Sequence, residues 1–248
     1  HSQKQESTSV PDNASLDSEI IGKAPAMQEV FRAIGRLSRS HVTVLINGQS
    51  GTGKELVARA IHELSHRVAG PLVTVNCGGL PEQLVESELF GHEAGAFTGA
   101  QKRRIGKLEY ANGGTIFLDE VESMPPHLQV RLLRVVQERC LERLGGNELI
   151  HLDVRVIAAS KLNLRQAADA GDFREDLYYR LNVTNIELPS MAQRKEDVGL
   201  LFRHFAELAA QKYNLPCPTL HTLQLQALQT REWHGNVREI NNEAERWA

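Results

Sequence analysis

Residues 48–55 read GQSGTGKE, directly after the apolar run VTVLI at 42–46 and directly before a helical pattern. No other feature limits the possible folds as much. The glycines let the backbone curl until consecutive N–H groups aim at one anion, and the N-terminus of the next helix adds positive potential. Lys54 then reaches the β- and γ-phosphates of a nucleotide. The spacing GxxxxGK is only moderately specific, and a glycine-rich turn with a surface lysine is the plain alternative. The strand–loop–helix placement favours a nucleotide site lined by Gly48, Gln49, Ser50, Gly51, Thr52, Gly53, Lys54 and Glu55. The Ser or Thr that usually follows the lysine and ligates magnesium is replaced by Glu55, so the metal must be held otherwise, for example through water.

Four short apolar runs stand at 42–46, 72–76, 115–119 and 154–160, with a fifth at 185–189. Each is rich in Val and Ile and apolar throughout, as strands buried on both faces of a parallel sheet are. Helical spacing lies before and between them: Met27, Val30, Phe31, Ile34 and Leu37; Leu56, Val57, Ala60, Ile61 and Leu64; Leu128, Leu132, Leu133, Val135 and Val136. The alternation predicts a doubly wound α/β domain. After Pro189 only helical stripes follow: Val198, Leu201, Phe202, Phe205 and Leu208; then Leu220, Leu223 and Leu228; then NVREINNEAERW. The expected plan is a linker over 1–18, an α/β domain over 19–188 and a small helical domain over 189–248, truncated at its end.

The strand at 115–119 ends in two carboxylates. Asp119 is placed to hold magnesium and Glu120 to polarise an attacking water, which means hydrolysis rather than transfer. The bland reading of such a pair is a helix-start cap. The stretch Ala111, Asn112, Gly113, Gly114, Thr115, Ile116, Phe117, Leu118, Asp119 and Glu120 is assigned with the phosphate loop to ATP binding. FREDLYYRLN at 173–182 sets Arg174 and Arg180 six apart; they are either surface ion pairs or arginine fingers for a γ-phosphate. Arg238, near the start of the last helix, is a candidate for contact with the same phosphates. HELSH at 62–66 fits HExxH, the zinc-protease pattern, but it lies on the helix after the phosphate loop and no distal ligand motif accompanies it.

The net charge of −3 gives no basic footprint for duplex DNA. Cys77, Cys140 and Cys217 are few and far apart, which argues for a reducing, cytoplasmic setting and against disulfides or a zinc knuckle. No signal peptide or membrane-length apolar run is present, so no membrane partner is expected. GHEAGAFTGA at 91–100 fits neither a core strand nor a solvated turn, because it combines glycines with Phe97. From composition alone, Phe97 would tuck into its own domain.

With these residues in order, the chain from 19 to 248 resembles the central AAA+ ATPase domain of bacterial activators of sigma-54 RNA polymerase (NtrC type), with a weaker likeness to the C4-dicarboxylate-transport branch. GQSGTGKE, ESELFGHEAGAFTGA, ANGGTIFLDE, FREDLYYRLN and WHGNVREI carry the resemblance. It implies a Mg-ATP-hydrolysing homo-oligomeric ring, a hexamer or heptamer. Lys54 would contact phosphate, Asp119 would serve magnesium and Glu120 would be the base. Asn76 would switch Glu120 between states, Arg174 and Arg180 would act on a neighbour's nucleotide, and Arg238 would be the second sensor. Glu93, Gly95, Ala96, Phe97, Thr98, Gly99 and Ala100 would form the loop that touches sigma-54, with Gly145, Gly146 and Asn147 in a loop beside it. The resemblance also implies a regulatory domain of response-regulator type and a C-terminal DNA reader, absent from this chain. Departures from the pattern are Gln49 for Glu, Lys161 for Asn or His at the first sensor, Ala192 for Arg and His234 for Pro. Alternatives are another AAA+ remodelling ATPase, of helicase-loader or unfoldase type, and a nucleotide-gated scaffold without turnover.

Overall fold

A computed structural model describes residues 20–79, 81–216 and 219–247. The linker expected over 1–18 and Cys217 lie outside the described residues. The main sheet holds β1 (Val44–Asn47), β2 (Leu72–Asn76), β5 (Thr115–Asp119), β8 (Arg155–Ser160) and β9 (Thr184–Glu187), in the order β2-β5-β8-β1-β9. Every pairing is parallel, as the apolar runs predicted.

The alternation along each strand feeds two cores. Val44, Ile46, Phe117, Ile157, Ala159 and Ile186 point to one face. There they meet Met27, Val30, Ile34 and Leu37 of α1 (Pro25–Ser38) and Val57, Ala58 and Ile61 of α2 (Lys54–Glu63). Leu45, Ile116, Leu118, Val156 and Ala158 point to the other face. That side is covered by α3 (Glu82–Phe90), α4 (Lys107–Tyr110), α5 (Pro126–Glu138), α6 (Leu164–Ala170) and α7 (Glu175–Leu181), with Leu89, Leu108, Leu132, Leu164 and Leu177 among the contacts. Two small antiparallel pairs, not expected from the sequence, stand outside the sheet. They join β3 (Gly91–His92) to β4 (Arg104–Ile105) and β6 (Cys140–Leu141) to β7 (Ile150–His151).

Beyond β9 the chain is helical: α8 (Val198–Tyr213), α9 (Thr222–Thr230) and α10 (Asn236–Trp247). They close a third core of Val198, Leu201, Phe202, Leu228, Trp233, Ile240 and Ala244. Two expected core positions are corrected. Leu64 is 63% exposed because α2 ends at Glu63, and Leu223 is 80% exposed because α9 packs through Leu228 instead. No helix among the described residues is long and apolar enough to cross a membrane.

These placements give a stability contrast. Phe117→Ala, which removes a ring packed between β8 and α2, is expected to cost about 3–5 kcal/mol. Leu223→Ala is expected to change stability by less than about 0.5 kcal/mol. Urea unfolding of the two variants beside the parent checks both.

Candidate active site

The phosphate loop joins β1 to α2, and Gly51 and Gly53 take positive φ values of 76° and 101° that glycine adopts without strain. Its carbonyls are all engaged by the protein. Lys54 Nζ donates to those of Gly48 (2.8 Å) and Gln49 (3.2 Å). Asn236 Nδ2 donates to Ser50 O at 3.0 Å, and the amides of Val237 and Arg238 donate to Gly51 O at 2.9 and 3.3 Å. Arg194 donates to Thr52 O at 3.3 Å, and the amide of Val57 to Gly53 O at 3.2 Å. Among the described residues, no backbone hydrogen bond is donated by the amides of Gln49 to Gly53. Carbonyls turned to protein and amides left over make an anion nest at a helix N-terminus.

The carboxylates come from the end of β5, two strands from β1. Asp119 and Glu120 line a cleft of about 260 Å³ with Lys54, Glu55, Lys161, Val237 and Arg238. Burial lowers the Lys54 pKa below the usual lysine range, while Asp119, Glu122 and Glu120 oppose that shift. Glu120 holds a left-handed backbone (φ 52°) just past the strand, with its amide donating to Asp119 Oδ1 at 2.9 Å. A non-glycine residue held there is a mark of a constrained site. Cys77, behind the carboxylates, has its thiol pKa pushed up to about 12 by burial and by their negative charge. A wider polar cleft of about 390 Å³ on the other side of Gly48 and Gln49 shares Lys161 but includes neither carboxylate.

Glu120 Oε2 accepts from Lys161 Nζ at 3.0 Å. Asn76, the expected switch partner, instead accepts the Gly78 amide through Oδ1 at 2.8 Å. Of the assigned stretch 111–120, only Asp119 and Glu120 reach the cleft. Ala111, Ile116, Phe117 and Leu118 are buried in the cores, and Thr115 is buried against His62. Asn112, Gly113 and Gly114 precede the strand, and Asn112 and Gly113 bond to Asp153. Arg174 chelates Asp176 at 2.7 and 3.0 Å on its own chain, and both Arg174 and Arg180 are exposed and away from this chain's cleft. Arg238 is at the cleft, 3.2 Å from Ser50 Oγ.

The Gly95–Gly99 loop rises from β3 and closes on itself through Gly95 N to Ala100 O at 2.8 Å. Ala100 is buried; Thr98 is exposed; Phe97 is 46% exposed with its ring edge against His92 at 5.0 Å. The aromatic is thus half-tucked, between the two expectations. The 145–147 loop lies alongside: the Glu93 amide donates to Leu144 O, and a Cβ on Gly145 would stand 2.8 Å from Ala96. Buried Arg143 ties both loops together through Glu93 (2.8 Å), Glu109 (2.7 Å) and Glu148 (3.2 Å).

A family model described as the sigma-54 interaction domain matches residues 20–187, and one described as an AAA+ ATPase lid domain matches 192–248. The chain belongs to the sigma-54 interaction domain family. Among its relatives, the C4-dicarboxylate transport transcriptional regulatory protein DctD of Pseudomonas aeruginosa is 57% identical over 94% of this chain and 50% of its own length. The DNA-binding transcriptional regulator NtrC of Escherichia coli is 50% identical over the whole of this chain and 52% of its own. The chain therefore spans about half the length of these relatives. NtrX from Brucella abortus, solved in complex with ATP, superposes with a TM-score of 0.86 at 36% identity, over 94% of this chain and 51% of that one. Hsp104 from S. cerevisiae, at 18% identity and a TM-score of 0.66 over 93% of this chain and 45% of that one, shares the fold. The fold is that of an AAA+ P-loop ATPase.

Sequence reading named Lys161 as a departure at the first sensor and Asn236 only within WHGNVREI, and missed what they touch. It also missed the apolar recess beside the loop formed by Ile20, Ile21, Leu56, Leu188 and Phe205; the apolar pair Ile20–Ile21 ahead of α1 was its available signal. The HExxH match dissolves: α2 stops at Glu63, His66 is exposed, and no group of metal-ligating side chains gathers among the described residues.

Burial lowers the His62 pKa below the usual value and keeps the ring neutral in the fold. The unfolded imidazole takes its proton first as the pH drops below about 6.5, so this residue makes the fold less stable in that direction. His62→Gln is expected to lose less stability than the parent between pH 7 and 5.5 in urea unfolding; equal losses would acquit His62.

Proposed function

We propose that this chain hydrolyses ATP in the Lys54–Asp119–Glu120–Arg238 cleft and uses loss of the γ-phosphate to move the Gly95–Gly99 loop against sigma-54, remodelling its RNA polymerase so that promoter DNA opens. The convergence of a carbonyl-saturated phosphate loop with a strand-end carboxylate pair carries this reading. The oxygen donors Asp119 and Glu120 that line the cleft with Lys54 fit magnesium, which needs few protein ligands beside phosphate and water. Asp119 would hold the ion, which when bound neutralises charge between the phosphates. The apolar recess suits the base of the nucleotide.

Glu120 takes a proton from water, the water oxygen bonds to the γ-phosphorus, the bond to the bridging oxygen breaks, and ADP and phosphate leave. A carboxylate paired with an ammonium is a poorer base, so Glu120 parts from Lys161 before proton transfer. Arg174 and Arg180 are displayed for the nucleotide of the next subunit in a homo-oligomeric ring. This reading divides the chain into a nucleotide-binding unit over 19–188 and a lid over 189–248, and places it in the bacterial cytoplasm. The Lys161–Glu120 ion pair favours one second reading, a scaffold that binds ATP without turnover.

The test is retention on immobilised sigma-54 with ADP–aluminium fluoride. The parent should be held; Thr98→Ala and Arg174→Ala should not. Glu120→Gln should lower turnover by roughly 10²–10⁴-fold while still binding ATP. Turnover without retention of the parent would leave an ATPase with another partner, and ATP binding with no turnover would favour the scaffold.

A further inference from the structure

The lid does more than border the cleft. Three consecutive loop carbonyls, those of Ser50, Gly51 and Thr52, are held from the far side of the lid junction by Asn236, by the first amides of α10 and by Arg194. Asn236 is the hub. It is fully buried, and it accepts the Met191 amide through Oδ1 at 2.8 Å. Through Nδ2 it donates to Ser50 O at 3.0 Å and to Gln49 Oε1 at 3.2 Å. Its backbone stands in the left-handed region (φ 52°), which asparagine tolerates better than most residues. The approach is close enough that a Cβ on Gly51 would lie 2.3 Å from Gly235 O.

We propose that Asn236 is a positioning residue for the phosphate loop: by holding the Ser50 carbonyl and the Gln49 side chain it keeps the loop amides turned toward the phosphates while the lid is docked. An amide aims into the nest only if the carbonyl of the same peptide unit aims out, and the outward carbonyl needs a partner where water is excluded. Lys54 supplies that partner for residues 48 and 49; the lid supplies it for 50 to 52. It also gives Gln49 a role, as an acceptor for the lid carboxamide. This inference rests on the reading that the loop binds a nucleoside polyphosphate.

The experiment compares fluorescent-ADP binding and ATP turnover in the parent, Asn236→Asp, Asn236→Gly and Leu228→Val. Asn236→Asp keeps the size, the left-handed tolerance and the acceptor for Met191, and replaces the donor by a charged oxygen facing Ser50 O and Gln49 Oε1; Asn236→Gly, which removes the donor without adding charge, is measured beside it and must lose affinity as well. For Asn236→Asp, the dissociation constant for ADP and the KM for ATP should rise roughly tenfold or more, because donor loss leaves two acceptors opposed. Its kcat should change less than about threefold, since saturating nucleotide restores the order that Asn236 supplies. Leu228→Val trims the lid core without touching the loop and should lower the melting temperature with ADP affinity unchanged. If Asn236→Asp fails to fold, Asn236→Gly, which accepts the same φ and lacks the carboxamide, is read alone by the same criteria. Parent-like affinity in either Asn236 variant overturns the proposal, as does an equal loss of affinity in Leu228→Val. A parent that binds no nucleotide overturns the underlying reading itself, a result distinct from either.

Discussion

Strands β1, β5 and β8 are apolar on both faces, so charged side chains can leave them almost only at their ends. Arg155, at the N-terminal end of β8, shows the cost of burying such a charge: it is buried, donates to Leu37 O, and leaves Nε and Nη1 without partners. At the C-terminal ends the parallel arrangement gathers Asn47, Asp119 and Ser160 on one rim, where ligands of open α/β sheets bind. The phosphate loop, Glu120 and Lys161 are the next residues along the same three strands. The polar chemistry of the site is thus concentrated by the requirement that the rest of these three strands be dry.

The sheet was legible because apolar runs of five to seven residues leave little choice. Its neighbours were less so. Periodicity counted Leu64 and Leu223 into stripes, because a leucine in register looks alike whether the helix has ended or turned away. The two-residue ladders at β3–β4 and β6–β7 are too short to leave a pattern in the sequence.

For the site, local motifs were legible and long-range pairings were not. Lys54, Asp119 and Glu120 follow from strand ends and glycine spacing. The Lys161–Glu120 bond joins residues that follow different strands, and Asn236 bonds to loop residues 187 and 186 positions earlier; nothing in either neighbourhood names its partner. Ala111 to Leu118 were drawn in by proximity along the chain, but strand geometry sends alternate side chains into opposite cores and leaves only the last residues at the rim.

Helix α3 links the rim to the Gly95–Gly99 loop. Gly78 packs so near Glu120 that a Cβ there would stand 2.7 Å from its Oε2, and Gly91, with φ 76°, opens the turn at the far end. Nine helical residues make a strut of about 14 Å. Both glycines are closely packed, a Cβ on Gly91 lying 2.6 Å from Arg104 O, so the strut fixes the distance and direction from the rim to the loop. A single inserted residue would rotate the loop by about 100° about the strut axis and aim it at different surroundings.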